Sequence, residues 1–280
     1  MTPQQERTNF WTAQSLNTPV EALTATYITH SFSRHTHEGF AIGVIERGAE
    51  TFYYRGDIHV APAGSVVVIN PAELHTGQAV SHAGWSYRMF YPEASLLARV
   101  ASQMKGHSCG IPFFPRPVIE DSVLFHALQT AHVSLEQSPD SLERDTRFIT
   151  ALSLMIRHHA DDIPPIQTQD TPSHPVTHAQ DYIHSHYDDD ISLEQLAQTV
   201  HLSPYHLTRL FRQQLGLPPH AYLNQVRVHH AKKLLSIGTP IAEVAQITGF
   251  SDQSHLNKAF KRIVGVSPGQ YSKIRQDSQL

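Results

Sequence analysis

Across residues 26–91 apolar and polar side chains alternate in short runs at 40–46, 51–55, 58–61, 65–69 and 85–90, the period of half-buried β-strands. Arg47-Gly48, Arg55-Gly56-Asp57, Pro62-Ala63-Gly64 and Asn70-Pro71 punctuate these runs as turns. Strands this short each bury one face, so they require facing partners, and the spacing predicts a small barrel or sandwich. Beyond Pro92 the period changes to that of helices. Val123, Leu124, Ala127, Leu128, Ala131 and Leu135 share one helical face, and Leu142, Ile149, Leu152 and Ile156 follow at intervals of seven, three and four. Residues 160–175 contain four prolines and no period, which predicts a linker over 161–175. From there to 275 the pattern is helical. Ser203-Pro204, Thr239-Pro240 and Ser267-Pro268 each place a capping hydroxyl before a proline tolerated at the first helical position.

The helical half contains a duplication. Leu193, Leu196, Ala197, Leu202 and Ser203 match Ile241, Val244, Ala245, Phe250 and Ser251 at an offset of 48. From Leu207 the offset becomes 49, pairing Leu207, Arg209, Phe211, Gly216 and Pro219 with Leu256, Lys258, Phe260, Gly265 and Pro268. Each copy reads as helix, turn, helix: small Ala197 and Ala245 allow two helices to cross closely, and Gly249 suits a turn residue with positive φ. The first copy carries His201 at that place, which predicts a more strained turn. With Leu207, Leu210 and Phe211 inward, the second helix of copy one turns Tyr205, His206, Thr208, Arg209, Arg212 and Gln213 outward. Copy two turns Ser254, His255, Asn257, Lys258, Lys261 and Arg262 outward. These side chains suit base edges and phosphates, whereas an ordinary solvated face is the plain alternative. A single helix is expected between the copies, long enough to separate two reading heads by about one turn of DNA, near 34 Å.

Charge sharpens this division. The 280 residues carry a formal net charge of −4, yet 1–174 hold eleven Lys/Arg against seventeen Asp/Glu, and 203–280 hold ten against three. The back half alone is suited to a polyanion. A single cysteine, Cys109, excludes an internal disulfide and a thiolate zinc site, and it reads as a loop or packing residue rather than a reactive thiol beside His107. The first residues lack an apolar core, and runs such as 66–69 fall far short of the roughly 20 residues of a membrane helix, so a cytoplasmic protein is expected.

On these motifs the chain resembles the AraC/XylS family of bacterial transcription regulators. The runs SLEQLAQTVHLSPYHLTRLFRQQLG and IAEVAQITGFSDQSHLNKAFKRIVGVSPGQY carry the resemblance, which extends from Thr177 to Arg275. It implies two helix-turn-helix motifs in adjacent major-groove segments of promoter DNA. Tyr205, Thr208 and Arg209 of the first motif match the family's base-facing positions, as do Ser254, His255, Asn257 and Lys258 of the second. Lys258 stands where arginine is common, which implies a less bidentate contact.

The front half looks like the cupin-type sensor domain that often precedes such a half. His35-Thr36-His37 places two imidazoles on one strand face, and His75 follows on a later strand. The acidic ligand of metal-binding cupins would fall at Ala41 or Ile42, and neither can ligate. The three histidines read as lining an effector pocket, with a three-histidine metal site as the alternative. Arg34, Glu46 and Tyr53 join His35, His37 and His75 as candidate effector residues, and Arg55 and Arg88 would add contacts if they point inward. A small polar or anionic effector suits this lining, and the run SFSRHTHEGFAIGVIERGAETFYYRG looks like sensors of regulators of amino-acid transport. His158, His159, His184, His186, His229 and His230 read as structural or surface residues.

The expected fold is multidomain: an N-terminal all-β cupin-like barrel with appended helices, then an all-α domain with two helix-turn-helix motifs. Residues 1–160 are expected to bind effector and dimerise, the latter along Leu142, Ile149, Leu152 and Ile156, although the same stripe could pack on the barrel. Residues 176–280 are expected to bind DNA. The partners that follow are promoter DNA, a small-molecule effector, a second copy of the chain and, for an activator, RNA polymerase. No catalytic residue and no cofactor is assigned, since G-x-S-x-G, phosphate-loop and H-E-x-x-H motifs are absent. Two alternatives stay open: a metal-dependent cupin enzyme using the three histidines, and a DNA-binding protein without an effector.

Overall fold

Alternation in the front half produces nine strands, and their ends are set by the residues that break it. In the computed structural model, which describes residues 6–161, 174–264 and 267–277, these are β1 (Arg7–Ser15), β2 (Thr18–Tyr27), β3 (Ser31–His35), β4 (Ala41–Tyr54), β5 (Asp57–Pro62), β6 (Val66–Ile69), β7 (His75–Ala79), β8 (Trp85–Tyr91) and β9 (Val118–Ile119). The main path runs β1-β2-β8-β4-β6-β9, with β5 and β7 also on β4 and β3 on β7. β4 is the hinge of this arrangement: its first residues pair with β6 and β8, and its last pair with β5 and β7.

The runs 40–46 and 51–55, expected as two strands, are therefore one. Arg47-Gly48 is not a hairpin turn but lies at a register shift between Ile45 and Arg47, where β4 bends from one set of partners to the other. Gly48 has φ +70, and a Cβ there would lie 2.1 Å from the Gly84 carbonyl oxygen, so only glycine permits this corner. The bulge also inverts the parity of the strand. Ala41 and Ile45 face the barrel core on one side of it, and Phe52 and Tyr54 on the other. Around them Leu23, Tyr27, Val67, Ile69, Trp85 and Tyr87 complete a core of aromatic and branched residues.

Three helices accompany the strands: α1 (Ala94–Lys105), α2 (Ser122–Gln137) and α3 (Ser141–His159). α2 packs on β1, β4 and β8. Leu142, Ile149, Leu152 and Ile156 of α3 are buried within the chain itself. The stripe expected to dimerise is thus already covered, and its apolar period reports an internal contact.

The chain divides into two compact units, one of Met1–Gln137 with Arg147–Gln169 and one of Ser138–Thr146 with Asp170–Leu280. Residues 138–146, which a boundary at 160 assigns to the front domain, group with the second unit. Asp140 lies 3.7 Å from Arg227, and the Ser141 hydroxyl donates to Asp190. The greater part of the 161–175 linker, residues 162–173, lies outside the described residues.

The second unit holds α4 (His174–Ser185), α5 (Leu193–Thr199), α6 (Pro204–Leu215), α7 (Pro219–Ser236), α8 (Ile241–Ile247), α9 (Gln253–Val264) and α10 (Pro268–Asp277). Ser192 and Gln195 form a capping box at α5, and Ser203 caps α6 ahead of Pro204. α8 begins one residue later than its hydroxyl suggests, because the Thr239 amide donates to the Leu234 carbonyl and Pro240 takes the cap position. The buried sets of the two motifs correspond: Leu196, Ala197, Leu207 and Phe211 in one, Val244, Ala245, Leu256 and Phe260 in the other. α7 spans roughly 27 Å at 1.5 Å per residue. Arg227, buried on α7, donates to the Tyr187 and Asp189 carbonyls and ties the segment after α4 to it.

Both turns adopt the expected left-handed residue, His201 with φ +54 and Gly249 with φ +73. A side chain in this region costs about 1–2 kcal/mol, while the looser unfolded chain of glycine costs about 0.5–1 kcal/mol. His201 is exposed, so little contact is lost with its ring. His201→Gly is expected to raise stability by up to about 1 kcal/mol. Thermal unfolding checks this, and a lower Tm in the variant would show that the imidazole holds the turn.

Candidate functional site

The second helices of the two motifs, α6 and α9, are both capped at the turn. Ser203 Oγ accepts the His206 amide, and Asp252 Oδ1 accepts the His255 amide at 2.8 Å. Ser203 therefore corresponds to Asp252 and not to Ser251, which places the extra residue of the second copy inside its turn. The Asp252 carboxyl is held below the usual carboxylate range, chiefly by the His255 amide, and stays charged at the positive end of α9.

On α6, Arg212 is exposed and Tyr205, His206 and Arg209 are half-buried. Arg209 Nε is buried and has no hydrogen-bond partner among the described residues. Thr208 departs from expectation: it is buried at 5% exposure, because it follows Leu207 directly on the helix and shares the inward side. His206 is engaged by the cap, its Nδ1 lying 3.0 Å from Ser203 Oγ. On α9, Ser254, Lys258, Lys261 and Arg262 are exposed and Asn257 is half-buried. His255 turns its ring edge to Phe250, with centroids 5.2 Å apart, which draws it off the outward face. The face available to a nucleic acid is thus cationic at Arg209, Arg212, Lys258, Lys261 and Arg262, with Tyr205, Ser254 and Asn257 as neutral hydrogen-bonding groups.

In the β unit His35, His37 and His75 converge. Their ring centroids are 4.2–5.0 Å apart, and one nitrogen of each lies within 4.8 Å of the others. The strand pairing builds this directly, since His35 on β3 is the registered partner of His75 on β7. Both rings are fixed by backbone carbonyls: His35 Nδ1 donates to Ser33 O at 2.8 Å and His75 Nδ1 donates to Glu73 O at 3.1 Å. Because a carbonyl can only accept, each Nδ1 carries a hydrogen, and in the neutral form of the ring it is Nε2 that presents the lone pair. Burial lowers the pKa of His37 and brings His75 to about 4, so these two are neutral at pH 7.

The histidines line a small cavity of about 40 Å³, together with Phe32, Phe52, Val67, Ile69, Glu50, Thr76, Tyr87, Met89 and Tyr91. Its lining is largely apolar with a few convergent polar groups, as in a small-molecule site, and its volume is that of a few water molecules. Glu50 was not foreseen. It is 8% exposed and has no hydrogen-bond partner among the described residues, and burial pushes its carboxyl up to about 8. Gly77 makes room for it, since a Cβ there would lie 2.6 Å from Glu50 Oε1. Burial also raises the phenols of Tyr87 and Tyr91, which remain neutral hydrogen-bonding groups.

Two of the expected effector residues are elsewhere. Glu46 accepts from Arg88 Nε at 2.7 Å and from Gln129 Nε2 at 2.9 Å, on the side of β4 that faces α2. Arg88 also meets Glu136 at 3.0 Å, so it is spent on holding α2 to the sheet. Tyr53 lies between Phe52 and Tyr54, whose burial places it on the opposite face of β4. Arg55 stands over the Phe113 ring near Glu73 and does not enter the cavity. The side chain of Arg34 lies outside the described residues.

Residues 17–152 match the family model described as an AraC-like ligand binding domain, and residues 196–274 match a helix-turn-helix domain. A Bacillus subtilis protein, the uncharacterized HTH-type transcriptional regulator YbfI, is 30% identical over 237 residues, covering 85% of this chain and 86% of its own. This chain belongs to the AraC family of transcriptional regulators. The arabinose operon regulatory protein of Escherichia coli is 40% identical to this AraC-family chain over 98 residues, about a third of each protein. Among solved structures, the DNA-binding domain of AdpA in complex with a target DNA is similar at 28% identity, covering 38% of this chain and 96% of that one, with a TM-score of 0.36. The family is one of DNA-binding regulators and not of enzymes.

Three further histidines of the AraC-family regulator are held in structural contacts. His159 Nε2 meets Asp121 at 3.0 Å, His184 Nε2 meets the Tyr222 hydroxyl at 3.1 Å, and His230 stacks on Tyr187 at 3.9 Å. Cys109 sits in a loop, its amide donating to Ser102 Oγ. Among the described residues no helix is long and apolar enough to cross a membrane.

Proposed function

We propose that this regulator reads promoter DNA with α6 and α9 in successive major-groove segments, and that its β domain binds a small polar effector in the histidine-lined cavity. The observation that carries the first part is the pair of matched turns, His201 and Gly249 both left-handed, each aiming a capped helix with exposed cations. Arg209 and Asn257 are the side chains best suited to base edges, and Lys258, Lys261, Arg212 and Arg262 to phosphates. The polar groups of the cavity lining support a small polar effector, with transport or metabolism of small polar compounds as the regulated process. An anionic effector is disfavoured, because no Lys or Arg lines the cavity among the described residues. The regulator acts as a cytoplasmic homodimer through a surface other than the buried stripe of α3, and contacts RNA polymerase where it activates. An effector shifts the regulator only by binding one of its arrangements more tightly than another.

Fluorescence anisotropy on the DNA upstream of its own gene, against a random duplex and over a salt series, tests the DNA reading. Arg209→Ala is expected to remove roughly 1–3 kcal/mol of the preference for upstream DNA. Lys258→Ala is expected to weaken both duplexes alike and to lower the salt slope by about 1. Equal loss on both duplexes for Arg209→Ala would move that residue to the phosphate-binding set.

A further inference from the structure

We propose that the β domain takes an organic ammonium ligand, an aliphatic amine whose charged end enters the cavity beside Glu50 and whose chain lies in the depression outside it. The proposal names the effector class for the sensor reading of this domain and rests on that reading for any effect on DNA. The inner cavity, about 40 Å³, admits a group the size of an ammonium and not a whole effector. A depression of about 470 Å³ adjoins it, with His37 and Tyr91 in the lining of both, and offers room for the remainder. Phe10 and Thr12 of β1 line this depression with Glu21 of β2. Phe10 is registered with core-facing Leu23 and Thr12 with Glu21, so the depression continues the inner face of the sheet outward.

The polar groups of the inner cavity ask for donors. Glu50 is 8% exposed and has no hydrogen-bond partner among the described residues, and its carboxyl stands over Gly77 beside Phe32, in the cavity wall. A buried acceptor is costly to leave unmade, and an ammonium brings three donors and no acceptor. His35 and His75, each with Nδ1 on a backbone carbonyl, add Nε2 acceptors in their neutral forms. Phe32, Phe52, Tyr87 and Tyr91 supply ring faces, which attract a cation more than a neutral group of the same size. Burial pushes the Glu50 carboxyl up to about 8, and an adjacent ammonium favours its charged form, so the carboxylate forms as the amine enters and its proton goes to the buffer. Outside, Glu21, Glu38 and Glu93 line the depression, and neither lining contains Lys or Arg among the described residues. Their field draws a cation and repels a carboxylate, and a second ammonium at the far end of the chain meets these three side chains.

The test uses the full-length protein and four probes of one chain length, cadaverine, pentylamine, pentanol and valerate, read by calorimetry and by the rise in Tm on binding. The expected order of affinity is cadaverine, pentylamine, then pentanol, with no binding of valerate. Glu50→Gln keeps the shape and removes the charge, and it should weaken both amines by about 10- to 100-fold. Glu21→Gln and Glu38→Gln, both at exposed positions, should each weaken cadaverine by roughly two- to fivefold and leave pentylamine nearly unchanged. Glu120→Gln, exposed and in neither lining, is the control and should change nothing. Pentanol or valerate binding as tightly as pentylamine, no binding of either amine, or amine affinities unchanged in Glu50→Gln overturns the ammonium site. Were Glu50→Gln to misfold, the probe series on the parent and the two exposed variants would still decide the class. Anisotropy on upstream DNA, with and without cadaverine, separates this site from the reading it rests on. A changed DNA preference supports both. A preference unchanged by an amine that binds at Glu50 keeps the site and overturns its part in sensing, and no preference for upstream DNA under any condition overturns the regulator reading while calorimetry still judges the site.

Discussion

Gly249→Ala is expected to destabilise the DNA-binding unit by roughly 2–5 kcal/mol and to abolish preferential DNA binding. Two costs add at this position. The left-handed φ of +73 charges any residue with a Cβ about 1–2 kcal/mol. The new Cβ would also lie 2.7 Å from the Cα and carbonyl oxygen of Asp188, backbone atoms that cannot swing aside like a side chain. They are held on both sides, since Arg227 takes the Tyr187 carbonyl at 2.6 Å and the Asp189 carbonyl at 2.8 Å. Relieving such an overlap by moving backbone costs a further 1–3 kcal/mol, roughly. Gly216 is the internal control, because its φ is +70 with nothing within 4 Å of the added atom. Gly216→Ala should therefore show only the conformational cost. Urea unfolding of the two variants beside the parent isolates the steric part. Equal midpoints for both would mean that the segment at Asp188 yields, and that the turn tolerates alanine.

The helix-turn-helix half was legible because its signals are local. Caps, prolines, small residues at the crossing and a positive-φ turn each act within a few residues, and the duplication let one copy check the other. What escaped there needed the third dimension: Thr208 shares the inward side with Leu207, and Arg227 works through carbonyls about forty positions away. The β half was harder. The β1–β2 hairpin turns at Leu16 and Asn17, both with positive φ, and a leucine in such a turn hides it. β1 itself is largely exposed, so its sequence lacks the apolar alternation that marks a half-buried strand. The candidate site was half legible. His35 and His37 share a strand face by their spacing, the cupin resemblance joined His75 to them, and the three do converge. Glu46 follows core-facing Ile45 and so lies on the other face, and Tyr53 lies there too because the bulge near Arg47 inverts the alternation counted from Ala41 and Ile45. Counting back from Phe52 and Tyr54 instead leads to Glu50.

Glu50→Gln is expected to flatten the fall in stability of the β domain between pH 5 and 8. The folded carboxyl titrates at about 8 and its ordinary value is 4.5, burial being the cause. A folded pKa above the unfolded one means that the folded state holds the proton more tightly, so the contribution to stability is fully present below pH 4.5. It is lost progressively as pH rises, and the loss is complete above about 8. At about 1.4 kcal/mol per pH unit the loss approaches roughly 4–5 kcal/mol over this window. Glutamine has the same shape and no proton to lose. Subtracting the thermal stabilities of parent and variant across the series cancels the histidines and the other carboxyls common to both. The difference should be small at pH 5 and favour Glu50→Gln increasingly toward pH 8. Parallel curves would show that Glu50 is already ionised in the folded protein. A carboxyl that keeps its proton at neutral pH both donates and accepts a hydrogen bond. At this depth, among Phe32, Phe52, Val67 and Ile69, it gives a polar effector one residue able to meet either function.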